Sequence, residues 1–342
     1  MDFLKKLPTP QEVVLKYPLN KEYSKQKVIR DTEIKNILEG KSKKFILIIG
    51  PCSADRENVV LDYMQRLSSL QEKVKETILI IPRVYTSKPR TIGDGYKGLL
   101  HQPFLNRGED ILAGIIAVRR MHKKIIEETG LFGADEMLYP EMIGYISDLL
   151  SYIAVGARSV ENQQHRLVAS GLNVPVGMKN PMSGDMAVML NSVVTAQHPH
   201  HFTYNGWEVI SHGNMYAHAI LRGKVDSDNK SIPNYHYEDL QKLYKLYKLR
   251  NVENMSLIVD CNHSNSNKNC LEQVNVAMNV ICSMRSDNTI FQMLKGLMIE
   301  SYIEDGCQPV DGTIYGKSIT DACLGWEKTE KLVLNILEEL NK

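Results

Sequence analysis

The run Phe45-Ile46-Leu47-Ile48-Ile49, closed by Gly50-Pro51, limits the folds open to this chain more than any other stretch. Five apolar residues in a row, three of them β-branched, describe a strand buried on both faces. Such strands belong to parallel sheets covered by helices. Proline has no N–H with which to continue a ladder, so Cys52 stands at the strand's C-terminal tip. In barrels and open α/β sheets, chemistry gathers at those tips.

The pattern recurs. Ile78–Tyr85 carries Arg83 just beyond Pro82, and Ala134–Leu138 carries Glu136. Tyr152–Arg158, Val174–Lys179, Ala217–Arg222, Ser256–Cys261 and Gly296–Glu300 complete the set. Helical spacing fills the intervals at Asn58–Val74, Asp110–Thr129, Tyr145–Leu150, Gln163–Ser170, Asp185–Ala196, Tyr237–Arg250, Cys270–Met284 and Glu327–Leu340. Eight strand–helix units predict an α/β fold, a (β/α)8 TIM barrel, over residues 41–342. Residues 1–40 predict an N-terminal helical arm packed outside the core. It holds a short helix capped at Thr9-Pro10-Gln11-Glu12 and a longer one over Lys21–Leu38. His201–Tyr204 and Trp207–Ile210, joined by Asn205-Gly206, predict an inserted β-hairpin before strand six, about 201–210.

Several function classes are disfavoured. Lys and Arg total 41 against 40 Asp and Glu, so no global basic field invites nucleic acid. No run approaches the ~18 apolar residues of a membrane span. Six cysteines without CxxC pairing read as reduced thiols of a cytoplasmic protein. Gly93, Gly95 and Gly98 match GxGxxG, but they neither follow a strand directly nor open a helix, which argues against a dinucleotide site. Arg119, Arg120, His122, Lys123 and Lys124 read as a solvated helix face complementing the helix dipole. His198, His200 and His201 read as loop histidines.

Two sets of polar residues mark the strand tips. Arg83, Arg158, Lys179 and Arg222, with Lys88 and Arg90 on the loop after strand two, form a basic set. Cations converging on one barrel mouth repel one another unless an anion neutralises them, and the set predicts an anionic, phosphate-bearing ligand. Cys52, His263, Glu300 and Asp321 form the second set. Thiolate, imidazole and carboxylate donors suit Zn²⁺, Fe²⁺ or Mn²⁺.

Gly50-Pro51-Cys52-Ser53, Lys88-Pro89-Arg90-Thr91, Gly156-Ala157-Arg158, Lys179-Asn180, Ile220-Leu221-Arg222-Gly223, Asp260–His263, Met298-Ile299-Glu300-Ser301 and Gly316–Asp321 occur in that order. With these motifs the chain resembles, from about residue 7 to its end, the class I 3-deoxy-D-arabino-heptulosonate 7-phosphate (DAHP) synthases. The resemblance implies a (β/α)8 barrel that condenses phosphoenolpyruvate with erythrose 4-phosphate, opening the shikimate pathway to aromatic amino acids. It implies one divalent ion per subunit (Mn, Fe, Zn or Co) on Cys52, His263, Glu300 and Asp321. Arg83, Glu136, Gly156, Ala157, Arg158, Lys179 and Arg222 would take phosphoenolpyruvate. Lys88, Pro89, Arg90, Thr91 and Asp321 would take the erythrose phosphate. Lys88, Cys52 and His263 would be catalytic, and the assembly a homodimer or homotetramer. The chain departs from the family pattern at Leu138-Tyr139-Pro140-Glu141-Met142 and at Pro181-Met182-Ser183-Gly184. Two alternatives carry different expectations: a 3-deoxy-octulosonate 8-phosphate synthase-like enzyme, and a catalytically silent relative that binds phosphorylated metabolites.

Overall fold

The computed structural model describes residues 1–90 and 95–342. Helices α1 (Pro10–Lys16) and α2 (Lys21–Leu38) precede strand β1 (Phe45–Gly50). Helix α3 (Glu57–Val74), β2 (Ile78–Pro82), α4 (Ile111–Thr129), β3 (Ala134–Glu136), β4 (Tyr152–Val155), α5 (Gln163–Ser170), β5 (Val176–Lys179) and α6 (Met186–Gln197) follow. Next come the hairpin β6 (His201–Tyr204) and β7 (Trp207–Ile210), then β8 (His218–Leu221). A second hairpin, β9 (Lys224–Val225) and β10 (Ser231–Ile232), leads to α7 (Tyr237–Lys248) and β11 (Leu257–Asp260). Helices α8 (Glu272–Ser286) and α9 (Asn288–Met293), strand β12 (Leu294–Glu300) and α10 (Trp326–Leu340) end the chain.

Eight strands form one parallel sheet in the order β2-β1-β12-β11-β8-β5-β4-β3. A parallel bridge between Arg83 and Ala134, with the Val84 N–H donating to the Ala134 carbonyl at 2.8 Å, joins the two ends and closes the barrel. The strand alternation separates two apolar faces. Leu47, Ile80, Ile153, Met178, Ala219 and Val259 pack outward on the helices. Ile46, Ile48, Leu79, Ile81, Tyr152, Ala154, Ile220, Ile258 and Met298 fill the interior. Continuing the inward register one step toward the C-terminal mouth reaches Arg83, Glu136, Gly156, Arg222, Asp260 and Glu300. Polar chemistry is thus stacked directly on an apolar plug.

The arm forms the two helices expected, with a capping box at Thr9 and Glu12. Its second helix is not confined to the outside. Ile34, Ile37 and Leu38 join the interior cluster, and the Ser256 hydroxyl donates to the Leu38 carbonyl at 3.0 Å. The last turns of α2 therefore stopper the barrel's base. The inserted hairpin has the residues expected; Asn205 and Gly206 take positive φ (50° and 79°), as a two-residue hairpin turn demands.

Two further expectations fail, and one element had no expectation. Tyr145–Leu150 is not an α-helix; a 3-10 helix covers Pro140–Tyr145 and turns follow it. Gly144 is pressed against the Pro10 ring, and Ile146, Leu149 and Leu150 reach the core through turns instead. The β9–β10 hairpin has strands of two residues, too short for periodicity to reveal. Arg119 and His122 are buried, not solvated. The Arg119 guanidinium grips both oxygens of Asp148 at 2.7 and 2.9 Å and donates to the Tyr17 and Tyr145 carbonyls. Among the described residues no helix is long and apolar enough to cross a membrane.

Candidate active site

The C-terminal mouth of the barrel opens into a pocket of about 380 Å³. Arg83, Lys88, Pro89, Arg90, Glu136, Gly156, Ala157, Arg158, Lys179, Arg222, His263 and Asp321 all line it. Cys52 and Glu300 lie buried beside them. Thr91 falls outside the described residues. Sequence reasoning had not singled out Tyr85, Met182, Val225, Asn229, Ser231, Ser264 and Lys268, which complete the lining. Met182 lies in one of the two segments that depart from the family pattern. A Cβ at Gly156 would stand 2.1 Å from Glu136 Oε1, so a larger residue there would displace the Glu136 carboxylate.

Two of the cations already have carboxylate partners. Arg83 Nη2 donates to Glu300 Oε1 at 2.8 Å, while its Nη1 donates to the Cys52 carbonyl at 3.0 Å and to the Pro51 carbonyl. The guanidinium stacks on the Tyr85 ring, 3.7 Å from its centroid. Lys179 Nζ donates to Asp260 Oδ2 at 2.8 Å. Arg222 is different. Among the described residues its guanidinium donates only to the Ser264 hydroxyl at 3.4 Å and the Met182 sulfur at 3.5 Å. Burial lowers its pKa, with Asp260 opposing. A guanidinium desolvated to that degree without a close partner is poised for an incoming anion.

Cys52 Sγ, a Glu300 oxygen and an Asp321 oxygen all lie within 4.8 Å of one another. His263 adjoins them, with Nε2 3.7 Å from Glu300 Oε1. Asp321 is delivered by the loop after β12, which is folded back by the bridges Ser301–Leu324 and Gly306–Cys323. His263 follows β11 with φ of +54°, an unusual backbone for a non-glycine residue, and its Nδ1 lies 2.9 Å from Asp260 Oδ2. Asn262 Nδ2 donates to Glu300 Oε2 at 2.7 Å.

Burial alone would raise the Glu300 pKa, but Arg83, His263 and Lys88 outweigh it and hold it at about 2. Asp260 is likewise held well below the usual range by His263 and Lys179 against the pull of burial. Cys52 is pushed up by burial and by the Glu300 charge, with Lys88 opposing. Lys88 Nζ donates to Cys52 Sγ at 3.0 Å. One mouth thus combines a sulfur and carboxylate cluster, an ammonium against the sulfur, and a cationic wall.

A family model described as the DAHP synthetase I family matches residues 20–334. The Tyr-sensitive phospho-2-dehydro-3-deoxyheptonate aldolase of Escherichia coli K12 is 35% identical over 98% of this chain and 93% of its own length. The Trp-sensitive enzyme of the same strain is 34% identical, covering 96% and 94%. A solved phospho-2-dehydro-3-deoxyheptonate aldolase structure from Francisella tularensis SCHU S4 superposes with a TM-score of 0.91 at 31% identity, covering 100% of this chain and 98% of that one. Nearly the whole barrel, from α2 to α10, is spanned by these matches, and the chain belongs to the DAHP synthetase I family.

Proposed function

We propose that this chain condenses phosphoenolpyruvate with erythrose 4-phosphate and water, giving DAHP and inorganic phosphate. The observation that carries the reading is one pocket in which a cationic wall meets Lys88, Cys52, Glu300 and Asp321. Family membership supplies the reaction; the pocket supplies the groups it needs.

Arg158, Lys179 and Arg222 would hold phosphoenolpyruvate, and Lys88, Pro89, Arg90 and Asp321 the aldehyde phosphate. Arg83, locked between Glu300 and the Pro51 and Cys52 carbonyls, sets the floor between them. Two anions held on one cationic surface react as an intramolecular pair, removing much of the entropic barrier. C3 of phosphoenolpyruvate forms the bond to the aldehyde carbon, and positive charge develops at C2. Lys88 gives a proton to the aldehyde oxygen. Water adds at C2, one of its protons restoring Lys88 and the other leaving with phosphate as the hemiketal's C–O bond to phosphate breaks and the ketone forms.

The donor set fits a divalent cation: a thiol sulfur, two carboxylates and an adjacent imidazole suit Zn²⁺, Fe²⁺ or Mn²⁺. Cys52, His263, Glu300 and Asp321 would hold it, and it would polarise the aldehyde carbonyl as a Lewis acid. Its charge would also keep Cys52 as thiolate against the upward pull of burial.

The test follows loss of phosphoenolpyruvate with erythrose 4-phosphate, and separately with arabinose 5-phosphate, before and after chelation. Loss with the four-carbon aldehyde, abolished by chelator and restored by metal, is expected. Loss with the five-carbon sugar alone would overturn the substrate assignment. No loss with either, metal added, would leave a binding protein.

A further inference from the structure

Asp135 precedes Glu136 on β3 and, by strand alternation, faces away from the barrel interior. Its side chain is buried, and both oxygens are fully used. Oδ1 accepts the backbone N–H groups of Thr86 at 3.0 Å and Glu136 at 2.7 Å. Oδ2 accepts the Thr86 hydroxyl at 2.5 Å and meets His122 Nε2 at 3.1 Å. His122 arrives from α4 and is 2% exposed. Burying a carboxylate rarely stabilises a fold better than a packed apolar side chain does. What it provides here is placement.

Thr86 stands two residues before Lys88. Among the described residues, the Thr86 N–H and hydroxyl have no hydrogen-bond partner other than Asp135. The Lys88 N–H bonds to the Lys97 carbonyl at 3.1 Å, a contact within the same long loop that does not tie Lys88 to the barrel wall. Upstream, the Tyr85 carbonyl accepts the Ala54 N–H at 2.9 Å. The segment leading to Lys88, whose Nζ lies 3.0 Å from Cys52 Sγ, is thus held at Tyr85 by Ala54 and at Thr86 by the Asp135 carboxylate and by the Leu100 N–H, which donates to the Thr86 carbonyl at 3.1 Å.

We propose that Asp135 is a positioning residue for Lys88, held in turn by His122 from α4. The inference rests on the condensation proposed above, because it assigns Lys88 its task.

The test compares the metal-loaded full chain with Asp135→Ala and Thr86→Val. Three quantities are read: turnover, calorimetric affinity for phosphoenolpyruvate, and amide hydrogen exchange of the peptide spanning residues 84–90. Freeing the Lys88 segment by about an ångström predicts a fall in kcat of roughly 10- to 100-fold for Asp135→Ala. Affinity for phosphoenolpyruvate stays within about 2-fold, because Arg158, Lys179 and Arg222 follow other strands. Exchange over 84–90 rises at least about 10-fold while α10 stays protected. Thr86→Val, which removes only the hydroxyl bond, gives a smaller change in the same direction. Wild-type kcat and exchange in Asp135→Ala would overturn the proposal. So would a general rise in exchange with kcat and affinity falling together, the mark of a merely structural residue. If Asp135→Ala does not fold, Thr86→Val decides: lowered kcat with intact affinity supports the proposal, and wild-type kcat overturns it. A wild-type chain that turns over neither aldehyde would defeat the reaction reading, and exchange over 84–90 would still show whether Asp135 holds the Lys88 segment.

Discussion

His218 opens β8 inside the barrel with no exposed surface. Its Nδ1 lies 2.8 Å from the Tyr216 carbonyl, and its Nε2 lies 2.8 Å from Tyr152 Oη. A carbonyl only accepts, so Nδ1 carries the proton and Nε2 accepts the Tyr152 hydroxyl. The imidazole is neutral and fully satisfied. Burial pushes its pKa from 6.5 down to about 4, with the Tyr216 bond opposing. Between those two values the unfolded chain binds a proton that the folded chain refuses. Stability from this group is therefore present above the unfolded pKa and is lost as pH falls. Linkage gives a loss of about 2 kcal/mol at pH 5 and about 3 kcal/mol near pH 4, relative to pH 8. Urea unfolding of wild type and His218→Gln at pH 8 and pH 5 isolates the term, because the other titrating groups cancel in the difference. Wild type should lose about 2 kcal/mol more than the variant over that interval. Equal losses in the two proteins would refute a buried neutral imidazole.

Gly177 leaves room for the same pair: an added Cβ would stand 2.1 Å from Tyr152 Oη and 2.4 Å from Ile220 Cδ1. Gly177→Ala should cost about 1–3 kcal/mol in urea unfolding, as overpacking does. Arg119→Leu strands the Tyr17 and Tyr145 carbonyls and should cost a similar amount, about 1–3 kcal/mol. Because Tyr17 lies in the arm, limited proteolysis should then cut residues 1–40 sooner than in wild type. Arg222→Lys keeps the charge but loses the forked donor, and should raise KM for phosphoenolpyruvate by roughly 10- to 100-fold. An unchanged KM would remove Arg222 from the anion site.

The barrel was legible because a strand buried on both faces must be written in apolar residues throughout, and the first polar residue after it marks the tip. That single rule located Cys52, Arg83, Lys179, Arg222 and Glu300. It missed what depends on pairing. Asp260 and Asn262 hold Lys179 and Glu300 respectively, and nothing along the chain shows which group each one pairs with. Strand alternation from Ile258 would have pointed Asp260 inward. Arg119 and His122 looked solvated because a basic C-terminal half suits a helix dipole. Their spacing, three residues apart on the apolar side of α4 with Ile115, Val118, Ile125 and Ile126, was the available signal. The β9–β10 hairpin left no periodic trace, and its Val225, Asn229 and Ser231 entered the pocket wall unannounced.

The carboxylates change the meaning of the cationic set. Converging cations suggested a site that is repulsive until an anion arrives, but Glu300 and Asp260 neutralise Arg83 and Lys179 in advance. Those two pairs are buried, so their charges are already desolvated and fixed in direction. They meet a ligand as donors fixed in direction rather than as free charges. Among the described residues neither Arg222 nor the exposed Arg158 has such a partner. The pull on an anion therefore falls to cations left without a carboxylate, such as Arg222 and Arg158, while Arg83 and Lys179 offer donors of fixed direction. The ion pairs that the sequence concealed thus decide which cations of the pocket remain free to meet a ligand.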